Sequence, residues 1–276
     1  MRDDAMMQEV CVNEDRPPEF VEALAKGLTI LESFDATHNE MTLSEVARRA
    51  DLTPAAARRS LITLVALGYV GQVGKRFHLT PKVMGLGSAF YFAAGIDQAF
   101  QPDLRAMVER FGDASSVATL QGHEVLYVAH YSQQRARRAS AVVGARYPAH
   151  ATSLGRVLLA GLADEQLDAY FASVEPVALT SRTVTNREDL RRIVYKVREQ
   201  GFATTVDELD YGVTALAVPI RGARGQTVAA LNSSGYSGQV TPAILVADRL
   251  QELRAAASRL GQNIARNPVL ESTLSS

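Results

Sequence analysis

The N-terminal third of the chain carries its apolar residues at helical spacing. Phe20, Leu24, Leu28 and Leu31 recur every third or fourth position, and Ile30 and Phe34 widen the stripe, predicting a helix over 20–35. Residues 36–40 read as a loop. Thr42 followed by Glu45 forms a capping box, in which the hydroxyl accepts from a backbone N–H and the carboxylate reaches back. It predicts a helix over 43–50 with Leu43, Val46 and Ala47 inward. Thr53-Pro54 is a second start, a hydroxyl cap before a proline whose missing N–H is no loss at the first helical position. That helix runs over 54–67, buries Leu61, Leu64 and Val65, and stops at Gly68. The period then shortens: 69–72 and 76–79 read as two short strands around a Val73-Gly74-Lys75 tip. Thr80-Pro81 opens a helix to about residue 94 carrying Val83, Leu86, Phe90 and Tyr91. A further helix over 96–111 carries Phe100, Leu104, Met107, Val108 and Phe111.

The C-terminal two thirds alternate between both periods. Strands are predicted at 116–120, 125–131 and 139–143, with Gln121-Gly122 turning the first pair. Helices follow at 152–162, 164–172 and 186–200, the last capped by Asn186. Strands return at 202–206, 214–221 and 227–233, and Thr241-Pro242 opens a final helix over 242–265. The class is α+β, and there is no internal repeat.

Helix, capped helix, tight turn, proline-started helix and β-wing is the order of a winged helix-turn-helix. The short connection between the second and third helices forces a steep crossing and leaves the third helix protruding, as a major-groove reader requires. Its outer face holds Ala55, Ala56, Arg58, Arg59 and Thr63. Arg58 and Arg59 can reach guanine edges or phosphates, Thr53 and Ser60 phosphates, and the two alanines thymine methyls. Lys75 and Arg76 at the wing tip suit backbone or minor-groove contact, and Thr42 completes the candidate set. The plainer alternative is that Arg48-Arg49 and Arg58-Arg59 are solvated helix faces.

Composition changes this picture only at the margins. A chain of 276 residues, 47% apolar, can fill two domain cores and is not disordered as a whole. The net charge of −1 gives no sign of nucleic-acid binding, but the local surface decides that, and no acidic residue lies between Asp51 and the end of the wing. Cys11 stands alone, so no internal disulfide forms; with no apolar run of bilayer length and no signal-peptide core, a cytoplasmic protein is expected. Residues 1–18, rich in acids and closed by Pro17-Pro18, read as a disordered tail. His123, His130 and His150 lack the close spacing of a metal site. No G-x-S-x-G, phosphate loop or dinucleotide fingerprint is present, so no cofactor and no catalysis are expected.

Several segments together resemble the IclR family of bacterial regulators: FVEALAKGLTILESFD, MTLSEVARRADLTPAAARRSLITLVALGYV, GKRFHLTPKVMGLG, AHATSLGRVLLAGL and GFATTVDELDYGVTALAVPI. The last is similar to the family's C-terminal signature, with Gly201, Glu208, Gly212, Ala217 and Pro219 in place. The first two look most like the PcaR/PcaU/PobR-type subgroup, which governs aromatic catabolism through protocatechuate and the β-ketoadipate route. The resemblance spans 20–265 and implies a winged helix-turn-helix over 19–80, a linker helix over 81–95, a GAF-like effector domain with a mixed, mainly antiparallel sheet over 96–267, and a tail over 268–276. It implies dimers made mainly through the DNA-binding domain, paired into tetramers, on a two-fold symmetric double-stranded operator.

The resemblance also implies an effector site. Thr152, Ser153, Leu154 and Gly155 match its helix start, where backbone N–H groups can take a carboxylate, and Thr205, Ala215, Asn232 and Ser234 match other lining positions. Relatives that bind glyoxylate or pyruvate tend to carry an acid and a thiol where Thr205 and Ala215 stand, which argues against a two- or three-carbon ligand. From the residues themselves, Asn232 and Ser234 alternate along a strand and face one way, either lining a pocket or satisfying neighbouring backbone. Arg137 or Arg138 could supply a counter-charge or be plain surface. The expected effector is a small carboxylate such as protocatechuate, 4-hydroxybenzoate or a β-ketoadipate-like acid. Two other classes compete: a metabolic enzyme with an accessory helical domain, and an interaction adaptor that does not bind DNA.

Overall fold

The computed structural model describes residues 17–35, 37–93, 95–133 and 142–274. Cys11, Arg137, Arg138, most of the N-terminal tail and most of the strand expected at 139–143 lie outside them. The chain divides between Ser88 and Ala89 into two compact units.

In the first unit, α1 (Glu22–Glu32), α2 (Leu43–Arg49) and α3 (Pro54–Ala66) enclose a core of Ile30, Met41, Val46, Ala57, Leu61 and Val70. The capping box forms as expected: the Thr42 N–H donates to Glu45 Oε2 at 2.7 Å, and the Glu45 N–H to Thr42 Oγ1 at 3.4 Å. Thr53 caps α3 through the Ala56 N–H at 3.3 Å. Asp51, at φ 51°, makes the left-handed turn between α2 and α3. Residues 36–40 were expected to be loop, but Glu40–Thr42 is a strand, β1. It joins the hairpin β2 (Val70–Val73) and β3 (Arg76–Leu79) in the order β1-β3-β2. Three residues are too few to show a period, and pairing with β3 sets Met41 into the core. After Thr80 comes a 3₁₀ turn, Pro81–Val83, and then α4 (Met84–Ala93), which crosses the division between the units.

The second unit is a six-stranded sheet with helices on both faces. Its strands are β4 (Ala114–Gln121), β5 (Glu124–Ser132), β6 (Arg146–Pro148), β7 (Ala203–Val206), β8 (Val213–Arg221) and β9 (Thr227–Tyr236). They lie in the order β6-β5-β4-β9-β8-β7, antiparallel at every pairing. Alternation sorts the side chains by size. Val117, Leu216, Val218 and Leu231 face α5 (Ile96–Phe111) and α9 (Pro242–Ala265), whereas Ala118, Ala203, Ala217 and Ala230 face α6 (Ser153–Ala160), α7 (Asp164–Ser173) and α8 (Arg187–Gln200). The alanine face lets α6 come close. A Cβ on Gly155 would stand 2.1 Å from the Ala149 carbonyl oxygen, so only glycine fits there.

Two expectations need correction. Val142 and Val143 are not strand; they enter a turn closed by the Ala145 N–H on the Val142 carbonyl, and the edge strand β6 comes after it. Residues 268–276 were expected to be a tail, yet Pro268–Leu274 forms a helix, α10. Asn267 caps it, with its Oδ1 accepting from the Leu270 N–H at 3.2 Å, and Leu270 and Leu274 join the core beneath α9. Glu271 Oε1 accepts from the Ala223 N–H and from Gln226, which holds the β8–β9 turn. The cap-plus-proline signal was present at Asn267-Pro268, but a stripe of two leucines needs the core to give it meaning. Leu270→Ala is expected to destabilise the protein by about 2–5 kcal/mol; a urea midpoint equal to wild type would contradict the docking of α10.

Candidate nucleic-acid interface and small-molecule site

On the reading head, Ala55, Arg58, Arg59 and Thr63 are exposed on α3, and Lys75 and Arg76 on the wing. Ala56 and Ser60 are half-buried. Among the described residues, Arg58, Arg59 and Lys75 enter no side-chain hydrogen bond or ion pair, so their charge faces solvent. A cleft of about 580 Å³ separates α3 from the wing and is lined by Thr42, Ser44, Arg58, Ile62, Gln72 and Lys75. Ser44, Gln72 and the 60% exposed Ile62 were not singled out from the sequence. An apolar residue on an outer helix face departs from the helical pattern, and that departure was the available signal.

Not every candidate is equally free. The Thr42 hydroxyl donates to Glu45 at 2.8 Å and accepts from its N–H, so the cap uses both capacities. The Thr63 hydroxyl donates to the Arg59 carbonyl at 3.2 Å, and Arg76 is steadied by the Glu40 carbonyl at 3.3 Å. Arg49 is structural: it bonds the Ser33 carbonyl at 2.9 Å and pairs with Asp35 at 2.7 Å.

In the second unit, two rows of residues cross the alanine face of the sheet. One runs Thr205, Ala215, Ser234, Ala114; the next runs Ala203, Ala217, Asn232, Ser116, His130. Asn232 Oδ1 accepts from the Ser116 N–H at 2.8 Å, and Ser234 donates to the Ala114 carbonyl at 3.3 Å. Both residues therefore satisfy neighbouring backbone while standing on the same face. Thr205 and Ala215 are buried beside them. The Ser116 hydroxyl meets His130 Nδ1 at 2.9 Å.

Helix α6 lies over these rows, packed on β8 and β9. Its C-terminal end stands at the start of β9, where Gly161 abuts Thr227, and its first turn is tied to Glu208, just beyond β7. The N-terminus therefore sits at the end of the sheet that carries Thr205 and Ser234. Thr152 caps it by accepting the Gly155 N–H at 2.9 Å, and the Arg156 N–H goes to the Thr152 carbonyl. The amides of Ser153 and Leu154 have no acceptor within the helix. Ser153 is 2% exposed, and its hydroxyl has no partner. This end of α6 can receive an anion's oxygens from two N–H groups and one hydroxyl.

Three further groups shape the site, and none was assigned a role from the sequence. Arg156 pairs with Glu208 through two contacts, 2.7 and 2.5 Å, both side chains buried, and donates to the His150 carbonyl at 3.1 Å. Arg249 of α9, 5% exposed, reaches β9 from the other face and donates to Ser233 Oγ at 3.0 Å and the Ser234 carbonyl at 3.1 Å. Burial lowers its pKa, but a guanidinium stays charged, so a cation stands behind the floor at Ser234. His150 and Tyr170 are also buried. Burial pulls the imidazole pKa down and pushes the phenol up to about 12, so both rings are neutral near pH 7. A separate groove of about 480 Å³ between α9 and β8 contains none of the expected site residues.

A winged helix-turn-helix joined to a sheet unit with a polar, buried floor is the build of a ligand-responsive transcription regulator. The chain belongs to the IclR family: residues 23–74 match the IclR helix-turn-helix domain, and residues 92–262 match the bacterial transcriptional regulator IclR C-terminal model. It is 37% identical over 243 residues to the Pca regulon regulatory protein of Pseudomonas putida, covering 88% of this chain and 83% of that one. It is 33% identical over 252 residues to the p-hydroxybenzoate hydroxylase transcriptional activator of Acinetobacter baylyi, covering 90% and 93%. Among solved structures, an IclR homolog from Microbacterium hydrocarbonoxydans complexed with 4-hydroxybenzoate matches with a TM-score of 0.70 at 26% identity, covering 88% and 99%. The chain is thus a transcriptional regulator, and the enzyme reading falls because the matched families are regulators. No helix among the described residues is long and apolar enough to cross a membrane.

Removing one partner of a buried ion pair strands the other charge. Glu208→Ala is therefore expected to destabilise the protein by about 3–5 kcal/mol. Equal urea midpoints for variant and wild type would remove the pair from the structural account.

Proposed function

We propose that this regulator senses a carboxylic acid of aromatic catabolism, an aromatic acid or its ring-cleavage product, at the start of α6. The observation that carries the reading is the buried Ser153 hydroxyl, unpartnered beside the two free amides of the helix start. A carboxylate satisfies all three donors. Asn232, Ser234 and Thr205 form the floor opposite, and Arg249 adds positive potential from behind it. The aromatic preference is supported by the relatives' names: one activates a p-hydroxybenzoate hydroxylase gene, and a structural neighbour holds 4-hydroxybenzoate. Protocatechuate, 4-hydroxybenzoate and a β-ketoadipate-like acid are the ligands to test first.

The output is double-stranded operator DNA, read by α3 with Ala55, Arg58 and Arg59 at base edges, and Lys75 and Arg76 on the flanking backbone. Exposed Phe20 just before α1, Leu24 and Leu28 on it, and Met84 and Leu86 at the start of α4 offer apolar surface for a second copy, and a symmetric operator suits a dimer or tetramer. For the acid to regulate, it must bind one arrangement of the reading heads more tightly than another.

Two outcomes test this. Arg58→Ala or Arg59→Ala is expected to weaken operator binding by about 1–3 kcal/mol with little change in melting; wild-type affinity in the double variant removes α3 from the interface. In thermal shift across the three acids, a true effector adds about 2.7 kcal/mol of stability at a hundredfold excess over its Kd. Ser153→Ala is expected to reduce that shift, and a panel in which no acid moves the melting of wild type rejects the site.

A further inference from the structure

One polar pair on the floor has no evident task in the fold. Ser116 and His130 are cross-strand partners on β4 and β5, held Oγ to Nδ1 at 2.9 Å. The other ring nitrogen, Nε2, is buried and has no hydrogen-bond partner. A buried polar atom left unpaired destabilises a fold by about 1–3 kcal/mol, and such atoms in native proteins commonly await a ligand or water. Nothing local requires histidine here; a valine or threonine would suit the strand as well. The ring lies in the same row as Asn232 and on the face covered by α6, two strands from β9.

The protonation state decides what Nε2 can recognise. Burial lowers the pKa of His130, so the ring is neutral near pH 7 and is no counter-charge for a carboxylate. In a neutral imidazole one nitrogen donates and the other accepts. If the Ser116 hydroxyl donates to Nδ1, Nε2 is a donor; if it accepts, Nε2 is an acceptor. A ligand hydroxyl can answer either state, whereas a bare aromatic edge answers neither.

We infer that His130, oriented by Ser116, is the specificity-determining residue that selects acids carrying a hydroxyl group remote from the carboxylate. The inference rests on the acid site proposed at α6 and adds the second polar contact. The two ends divide the work. The amides and hydroxyl at Ser153 take the charge, and the neutral His130–Ser116 pair reads the substituent. An acid lacking the hydroxyl leaves Nε2 buried and unpaired, so discrimination comes from the unsatisfied protein atom as much as from the bond gained.

The test is isothermal titration of the full-length protein with 4-hydroxybenzoate, protocatechuate and benzoate. Wild type is expected to bind the better hydroxylated acid at least about tenfold more tightly than benzoate. His130→Phe keeps a ring and removes both nitrogens; it is expected to bring that ratio close to one while benzoate binding persists, which also shows that the site has folded. His130→Leu serves the same purpose if the larger ring does not fit. His130→Gln, whose amide can donate or accept, is expected to restore part of the preference. Ser153→Ala is expected to weaken all three acids alike and leave the ratio unchanged. If the preference survives in both His130→Phe and His130→Leu, or if wild type binds benzoate as tightly as the hydroxylated acids, this inference is overturned and the α6 site stands. If none of the three acids binds wild type, the α6 reading fails and takes this one with it.

Discussion

The ion pair between Arg156 and Glu208 is the constraint on which the sensing unit depends. Two opposite charges held away from water are tolerable only with near-ideal geometry and with their remaining hydrogen-bonding capacity used. Both conditions are met. The guanidinium meets both carboxylate oxygens, its Nε donates to the His150 carbonyl, and Glu208 Oε2 also accepts the Val184 N–H at 3.2 Å. Around it, the Thr180 and Thr183 hydroxyls donate to the carbonyls of Asp207 and Glu208. A shift of the first turn of α6 would strand a buried charge. The start of that helix is therefore fixed over one end of the sheet, and its unpaired amides with it.

The division of residue size across the sheet follows from the same need. Leucine, valine and isoleucine fill the face toward α5 and α9, while alanine carpets the face toward α6. Small residues leave room for the helix and for the polar rows at the open end, where Asn232, Ser234 and Ser116 spend part of their hydrogen-bonding capacity on neighbouring strands. The floor is thus made of neutral hydroxyls, an amide and a neutral imidazole. The Arg156 guanidinium is held by Glu208, and the other buried cation, Arg249, stands behind β9 rather than within the site. Such a floor suits recognition by directed hydrogen bonds, with the charge of an acid handled by helix amides.

The reading head was the more legible of the two units. Two of its three helices, α2 and α3, start with a local signal, Thr42 with Glu45 and Thr53 with Pro54, and a cap depends on residues three apart. The order of these elements names the motif without any long-range contact. What local reasoning could not weigh was competition for the same groups. The Thr42 hydroxyl is consumed by its own cap, Arg49 is drawn to Asp35, and Arg76 leans on the Glu40 carbonyl of β1, a strand too short to have a period. Arg58, Arg59 and Lys75 survive that sorting as charges facing solvent.

By itself the sequence determined most of the element order, the two-part division, the winged motif and, through the IclR resemblance, which residues to seek at the start of α6 and on the facing strands. These rest on caps, periods and contiguous motifs, which are local. Tertiary structure decided the rest. Arg156 and Glu208 stand 52 residues apart, and Ser115 and Asn232 117 apart, so no period links them. Glu208 was visible as part of a motif, but its partner was not. His130 read only as an isolated histidine, Arg249 only as one more arginine in a long helix, and 268–274 as tail, because burial and an unpaired nitrogen exist only once distant strands and helices have closed around them.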